Sequence, residues 1–250
     1  MSSLRIVLAT FVLAFLAPVA LHALWWLSHD DAVAWHEADW SSARLLPAAL
    51  SHPEPLINVY AARAGRWKGI FAHHCWIVIK ERGAANYTRY DKVAWGQPVK
   101  VNAWAPDARW YGHQPVLVGA VEGAAAEALI AKVRAAVAAY PHNVPGGYRV
   151  WPGPNSNSFA AYLVAAIPEA RIALPPTAIG KDFHGGIAVV ALSPSRTGIE
   201  LSLAGLVGIT LGWVEGVELN VLGLVLGLDL RRPALKIPGF GRIGSGPVLD

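Results

Sequence analysis

From Ile6 to Leu27 the chain runs 22 residues without Asp, Glu, Lys or Arg. A helix rises ~1.5 Å per residue, so a run of this length spans the ~30 Å hydrocarbon layer of a bilayer. Trp25 and Trp26 close it, and indole rings favour the headgroup level. Arg5 and the amino terminus stand before the run; Asp30, Asp31, Glu37 and Asp39 follow it. A basic flank before and an acidic flank after predict a cytoplasmic N-terminus and an exported remainder. The competing reading is a cleaved signal peptide. The run is longer than an ordinary signal core, and Leu21 fills the upstream small-residue slot for a cut near Ala23. The pattern therefore favours an uncleaved single-pass anchor over residues 1–28 in the inner (cytoplasmic) membrane. The domain would then lie in the periplasm of a Gram-negative source.

The rest of the chain has ample material for a core. Of 250 residues, 54% are hydrophobic and 15% charged, which excludes global disorder. Lys and Arg are scattered, so no nucleic-acid footprint appears. Cys75 is the single cysteine, which excludes an intramolecular disulfide and a cysteine-based zinc site. No cofactor or metal is implied. The bilayer is the expected partner, and an envelope peptide, lipid or protein is the partner class that fits an exported domain.

Residues 29–55 read as a linker with a short helix near Ser41 to Leu46. Leu56 to Arg63 alternates like a strand, and His74 to Lys80 is rich in β-branched and aromatic residues. Tyr87 to Trp95, Val99 to Trp104 and Pro115 to Val121 read as further strands. From Ala124 to Tyr140 the period becomes helical, with Leu129, Ile130, Val133 and Val137 on one side and Pro141 as the stop. A Pro- and Gly-rich loop leads to a second helix, capped by Asn155 or Ser156 and running to about Ile167. The pattern predicts an α+β domain over 56–182, an antiparallel sheet with two main helices.

The last segment, 183–250, differs. Gly198 to Val207 (GIELSLAGLV) and Gly216 to Val225 (GVELNVLGLV) share six of ten residues at an offset of 18. Such a duplication with frequent glycines predicts a β-rich extension, a meander that covers the sheet or lies on the membrane. Glu215 and Glu218 interrupt the alternative, a second membrane helix.

Two short motifs carry the candidate chemistry: Ala72-His73-His74-Cys75-Trp76-Ile77 and Pro154-Asn155-Ser156-Asn157-Ser158-Phe159. A nucleophile needs an open position and a base beside it, and a helix start offers N–H groups to an oxyanion. Ser156 would attack, His74 would take its proton, and Asn155 would support the turn. Asp91 on the next strand is a candidate third group by position, with Tyr90 beside it. Simpler roles stand next to these: His74 as a buried strand histidine with a backbone partner, Ser156 as an N-cap, Asn155 and Asn157 as turn residues, Asp91 as a surface ladder residue. Cys75 within a strand reads as an inert buried thiol. His73, on the opposite strand face, reads as packing or rim. The Trp residues at 67, 76, 95, 104, 110 and 151 read mainly as core, a subset lining a groove.

The histidine strand followed by an Asn-Ser-Asn-Ser-Phe helix start resembles the circularly permuted papain-like superfamily, to which lecithin retinol acyltransferase and the NlpC/P60 peptidases are related. That resemblance covers about residues 56 to 170 and implies acyl or amide hydrolysis or transfer. The family nucleophile is cysteine, and Ser156 stands in its place. A helix start lowers a thiol pKa usefully but not that of a hydroxyl, so the replacement implies a serine-type enzyme or a domain without chemistry. The chain after the anchor is also similar to an uncharacterised bacterial family, domain of unknown function 3750. Ala38-Asp39-Trp40-Ser41-Ser42-Ala43, the His-His-Cys-Trp strand, the Pro-Asn-Ser-Asn-Ser-Phe motif and the Gly-rich tail carry that similarity.

Overall fold

The computed structural model describes residues 2–29 and 33–245. Asp30 and Asp31 of the acidic flank lie outside the described residues. The apolar run is helical throughout: α1 (Ser2–Phe11), a π-turn (Val12–Leu16) and α2 (Ala17–His29). Ser3–His29 is long and apolar enough to cross a membrane, as an anchor or a signal sequence, and only 6% of its most apolar stretch is buried. What is buried forms one stripe. Phe15, His22 and Trp26 face the domain, and His22 Nδ1 meets the Ile70 carbonyl at 2.5 Å.

The domain is α+β. A five-stranded antiparallel sheet has the order β4-β3-β2-β1-β5, built from β1 (Leu56–Arg63), β2 (His73–Lys80), β3 (Thr88–Lys92), β4 (Val99–Val101) and β5 (Val116–Glu122). Two of the three interior strands, β1 and β2, are buried along their whole length, which explains why they read as nearly continuous apolar runs. Helices α3 (Gly123–Ala139) and α4 (Ser156–Ala165) cover one face. Cys75, Ile77 and Ile79 meet Leu129, Val133, Phe159 and Leu163 there. The other face carries Tyr60, Trp76, Val78 and Trp110, with Trp40 and Trp104 packed against them.

The expected helix at Ser41 to Leu46 is absent. Ser42 bridges Ala108 instead. The Asp107 carboxylate accepts from the Ser42 hydroxyl at 2.7 Å and from the Leu45 and Leu46 amides at 2.7 and 3.1 Å. These side-chain bonds compete with helical ones, and Pro47 forbids a further turn. β3 and β4 are also shorter than expected. Val93 N–H bonds the Pro98 carbonyl across a tight turn, and Asn102, at φ 53°, ends β4.

The C-terminal segment is a seven-stranded antiparallel meander: β6 (Ala188–Leu192), β7 (Gly198–Leu203), β8 (Val207–Gly212), β9 (Gly216–Val221), β10 (Leu224–Asp229), β11 (Ala234–Ile237) and β12 (Gly241–Gly244). The sequence duplication is a structural one. Ser202 and Asn220, at equivalent places in the two copies, each accept from the N–H three residues on, Gly205 at 3.2 Å and Gly223 at 2.8 Å. The inner face of the meander is polar. Glu218 receives Lys181 at 2.6 Å and also bonds Lys236, Glu200 meets His184 at 2.8 Å, and Asn220 reaches Asp182 at 2.6 Å. These ties hold the sheet to the segment that follows α4.

Candidate functional site

The site begins where β2 and β3 part. Their pairing ends at Ile77↔Tyr90, so the β2 backbone beyond it, toward His73, needs other partners. Asn157 supplies them. Its Oδ1 accepts from Cys75 N–H at 3.1 Å, and its Nδ2 donates to the His73 carbonyl at 2.9 Å and the Ile179 carbonyl at 2.9 Å. One side-chain amide thus replaces a missing strand and pins the tip of α4 into the fork.

Asn155 caps that helix. Its Oδ1 accepts from the Asn157 and Ser158 amides at 2.9 and 3.0 Å, while the Ser158 hydroxyl accepts from Asn155 N–H at 2.8 Å. Gly180 makes room for this. It sits at φ 95°, and a Cβ there would lie 2.3 Å from Asn155 Nδ2. Two consequences correct the sequence reading. The cap is Asn155, so the Ser156 hydroxyl has no capping duty. The Asn157 and Ser158 amides are already bonded, so they are not free to hold an oxyanion as expected. The Tyr148 phenol remains, and the Ser156 amide is bonded to it. Burial raises the Tyr148 pKa and hydrogen bonds to the Ser156 side chain and backbone pull it back. The phenol is therefore a neutral donor at pH 7.

His74 points to the face of β2 opposite α4. Its Nε2 lies 2.9 Å from Asp91 Oδ1, so its partner is a carboxylate and not the backbone. The ring stacks on Trp110 with centroids 3.6 Å apart and planes within 3°. Asp91 is not a surface residue: it is fully buried. It receives Arg89 in a two-pronged pair at 2.7 and 2.8 Å, and the Arg89 guanidinium lies 4.1 Å from the Trp76 ring centre. Burial pushes the Asp91 carboxyl up, but Arg89 and His74 more than offset this and hold it below the usual range. Burial lowers the His74 pKa, and Asp91 restores part of the loss. His74 is consequently neutral at pH 7, a state able to accept a proton. No described residue hydrogen bonds its Nδ1.

His74 and Ser156 lie on different faces of the sheet, yet both line one cavity of about 560 Å³ that opens at the fork. No hydrogen bond joins them directly. Trp35, Trp67, Trp95, Trp110, Tyr148 and Trp151 supply much of the wall, and Val19 of α2 closes one side. Of the Trp residues read as core, Trp76 and Trp110 are buried, while Trp67, Trp95 and Trp151 are exposed at the cavity rim.

Two cavity residues, Tyr148 and Lys92, escaped the sequence reading, which takes a third, His73, only as packing or rim. Tyr148 lay in a segment read only as loop. Lys92 ends β3 beside Asp91 and donates to Tyr140 Oη at 3.2 Å and the His142 carbonyl at 3.0 Å. Desolvation lowers its pKa to about 8. His73 is buried, and neither of its ring nitrogens has a hydrogen-bond partner among the described residues. Burial and the nearby Arg63 hold its pKa well below the ordinary value. Cys75 is fully buried and its thiol is pushed up by desolvation, which makes it inert. Among the described residues no group of three or more His, Cys, Asp or Glu is placed to hold a metal ion.

The family model described as protein of unknown function (DUF3750) matches residues 54–183, just over half of the chain. The chain belongs to the DUF3750 family. No curated protein and no solved structure matches it. The DUF3750 region runs from just before β1 to Phe183, so it includes His74, Asp91, Tyr148, Asn155 and Ser156. The apolar helix and strands β6–β12 fall outside it.

Proposed function

We propose that the DUF3750 region is a membrane-tethered acyl-transfer enzyme, a hydrolase or transferase, with a permuted papain-like core. Its parts would be a tether (1–28), a linker (29–55), a catalytic unit (56–182) and a β-rich extension (183–250), with the catalytic unit in the periplasm of a bacterial cell. Ser156 attacks an acyl carbonyl, its proton passes to His74 Nδ1, and Asp91 fixes the ring through Nε2. The Tyr148 hydroxyl receives the developing oxyanion. The leaving group takes the proton from His74, and water or an acceptor then releases the acyl group from Ser156.

One observation carries this reading: a buried carboxylate holds one nitrogen of His74, and His74 and Ser156 line the same cavity. Apo geometry is often looser than the substrate complex, so the missing direct bond does not exclude the pair. The aromatic walls favour an acyl chain of a lipid or lipidated peptide over a charged substrate. The test is hydrolysis of p-nitrophenyl esters by the full chain in mild detergent. Medium-chain esters should react faster than acetate, and Ser156→Ala and His74→Ala should each remove the activity with the circular dichroism spectrum unchanged. Turnover that survives both substitutions refutes the proposal.

A second reading is a non-catalytic binding or scaffold module of the envelope. Ser156, where the papain-like resemblance implies a cysteine, and the absent Ser156–His74 hydrogen bond favour it. It predicts that Ser156→Ala complements a deletion strain fully, which the enzyme reading forbids.

A further inference from the structure

The meander has its polarity reversed relative to a sheet that covers a core. Its buried inner face includes Glu200, Thr210, Glu218 and Lys236, which share one cross-strand row with Gly227 of β10 between the last two. Its outer face is apolar. One row of cross-strand partners passes through all seven strands: Leu192, Ile199, Leu211, Val217, Leu228, Leu235 and Ile243. Each of these side chains is between 37 and 61% exposed. A parallel row, Val190 to Leu201 to Ile209 to Leu219 to Leu226, is apolar throughout as well.

We infer that this outer face rests on a phospholipid bilayer. Two observations select lipid over a second copy of the chain. The face has no polar member in either row, whereas a protein interface of this extent carries polar contacts among its apolar ones. Apolar outside and polar inside is the pattern of strands that face lipid.

The ends of the sheet fit the same placement. In a meander alternate turns share one end, and those between β6 and β7, β8 and β9, and β10 and β11 carry Arg196, Trp213, Arg231 and Arg232. Trp213 is 56% exposed. Indole and guanidinium groups at one rim suit a headgroup layer that includes anionic lipid. Among the described residues no strand pairs beyond β6 or β12, and unpaired edges cannot enter hydrocarbon cheaply. It lies face-down at the headgroup boundary with its edges within reach of water. This placement stands whether or not Ser156 is a nucleophile.

The experiment uses the full chain reconstituted in vesicles of phosphatidylethanolamine and phosphatidylglycerol. Leu201→Cys, Ile209→Cys and Leu219→Cys each carry an environment-sensitive fluorophore, and Cys75, buried and unreactive, stays unlabelled. Ala85→Cys, in the β2–β3 turn at the end of the sheet far from the helix contact, is the control. All four sites are at the surface or partly exposed, so the labels test the face without opening the core. The three meander labels should shift to the blue, lose most of their emission to nitroxides on lipid acyl chains, and ignore aqueous iodide. The control should do the reverse. Meander labels that respond to iodide and not to lipid nitroxides overturn the inference. Labels shielded from both quenchers overturn it too, and a doubled particle mass in that case assigns the face to a second copy.

Discussion

Replacing Asn157 by Ala removes the staple between α4 and β2. Three hydrogen bonds of 2.9 to 3.1 Å are lost, and the Cys75 N–H and His73 C=O groups are left in a buried fork. A buried backbone group without a partner costs about 1–3 kcal/mol, so the two together cost roughly 2–6 kcal/mol. Against a typical domain stability of about 5–15 kcal/mol that is a large loss. Asn157→Asp should be worse. It keeps the acceptor for Cys75 but turns a buried carboxylate toward two carbonyl oxygens. Denaturant unfolding of the full chain in detergent gives the stability, and amide hydrogen exchange gives the local reading. The Cys75 amide should be protected in the wild type and exchange much faster in Asn157→Ala. A loss below about 0.5 kcal/mol, the range of ordinary surface substitutions, would refute the reasoning. So would an unchanged Cys75 exchange rate.

Three further outcomes follow from the same geometry. Tyr148→Phe should reduce acyl-ester turnover by about 10²–10³-fold, the usual effect of removing one oxyanion donor, with KM little changed; an unchanged kcat removes Tyr148 from the site. His73→Phe replaces a buried ring lacking hydrogen bonds with an apolar one, and should be neutral or stabilising in denaturant unfolding; a loss above about 2 kcal/mol would show that His73 has a partner in the folded chain. Stability should fall as pH drops below 6.5, because burial lowers the folded pKa of both His73 and His74. The unfolded chain then binds more protons than the folded one, and the stability present above the unfolded pKa is lost as pH falls toward the folded values. His184 acts oppositely, since its hydrogen bond with Glu200 raises its pKa and its contribution fades as pH rises through that value. Denaturant midpoints between about pH 5 and 8 measure the balance, and a midpoint that rises on acidification contradicts it.

The α+β architecture was legible because its elements obey simple periods. Leu56–Arg63 is a strand with the bounds its alternation predicts, and Pro141 stops α3 where expected. The duplicated glycine-rich segment also read correctly as strands, because Glu215 and Glu218 excluded a second apolar helix. Less legible were features made by contacts remote in sequence. Ser41 to Leu46 has helical composition, but Asp107, more than sixty residues away, takes its amides. Asp91 looked like a ladder carboxylate, and only the fork between β2 and β3 buries it beside His74 and Arg89. Tyr148 lay in a loop whose sequence says nothing about the helix tip it touches. The order of His74 and Asn155-Ser156 was visible; that the two stand on opposite sheet faces and meet at one cavity was not.

Covalent trapping is the most direct measurement of the pair. A fluorophosphonate carrying an alkyl chain, incubated with the full chain and mapped by peptide mass spectrometry, should modify Ser156 alone. The rate should rise with pH as His74 loses its proton and collapse in His74→Ala. Modification at another residue, or none by a folded protein across that pH range, would contradict a nucleophile at the tip of α4.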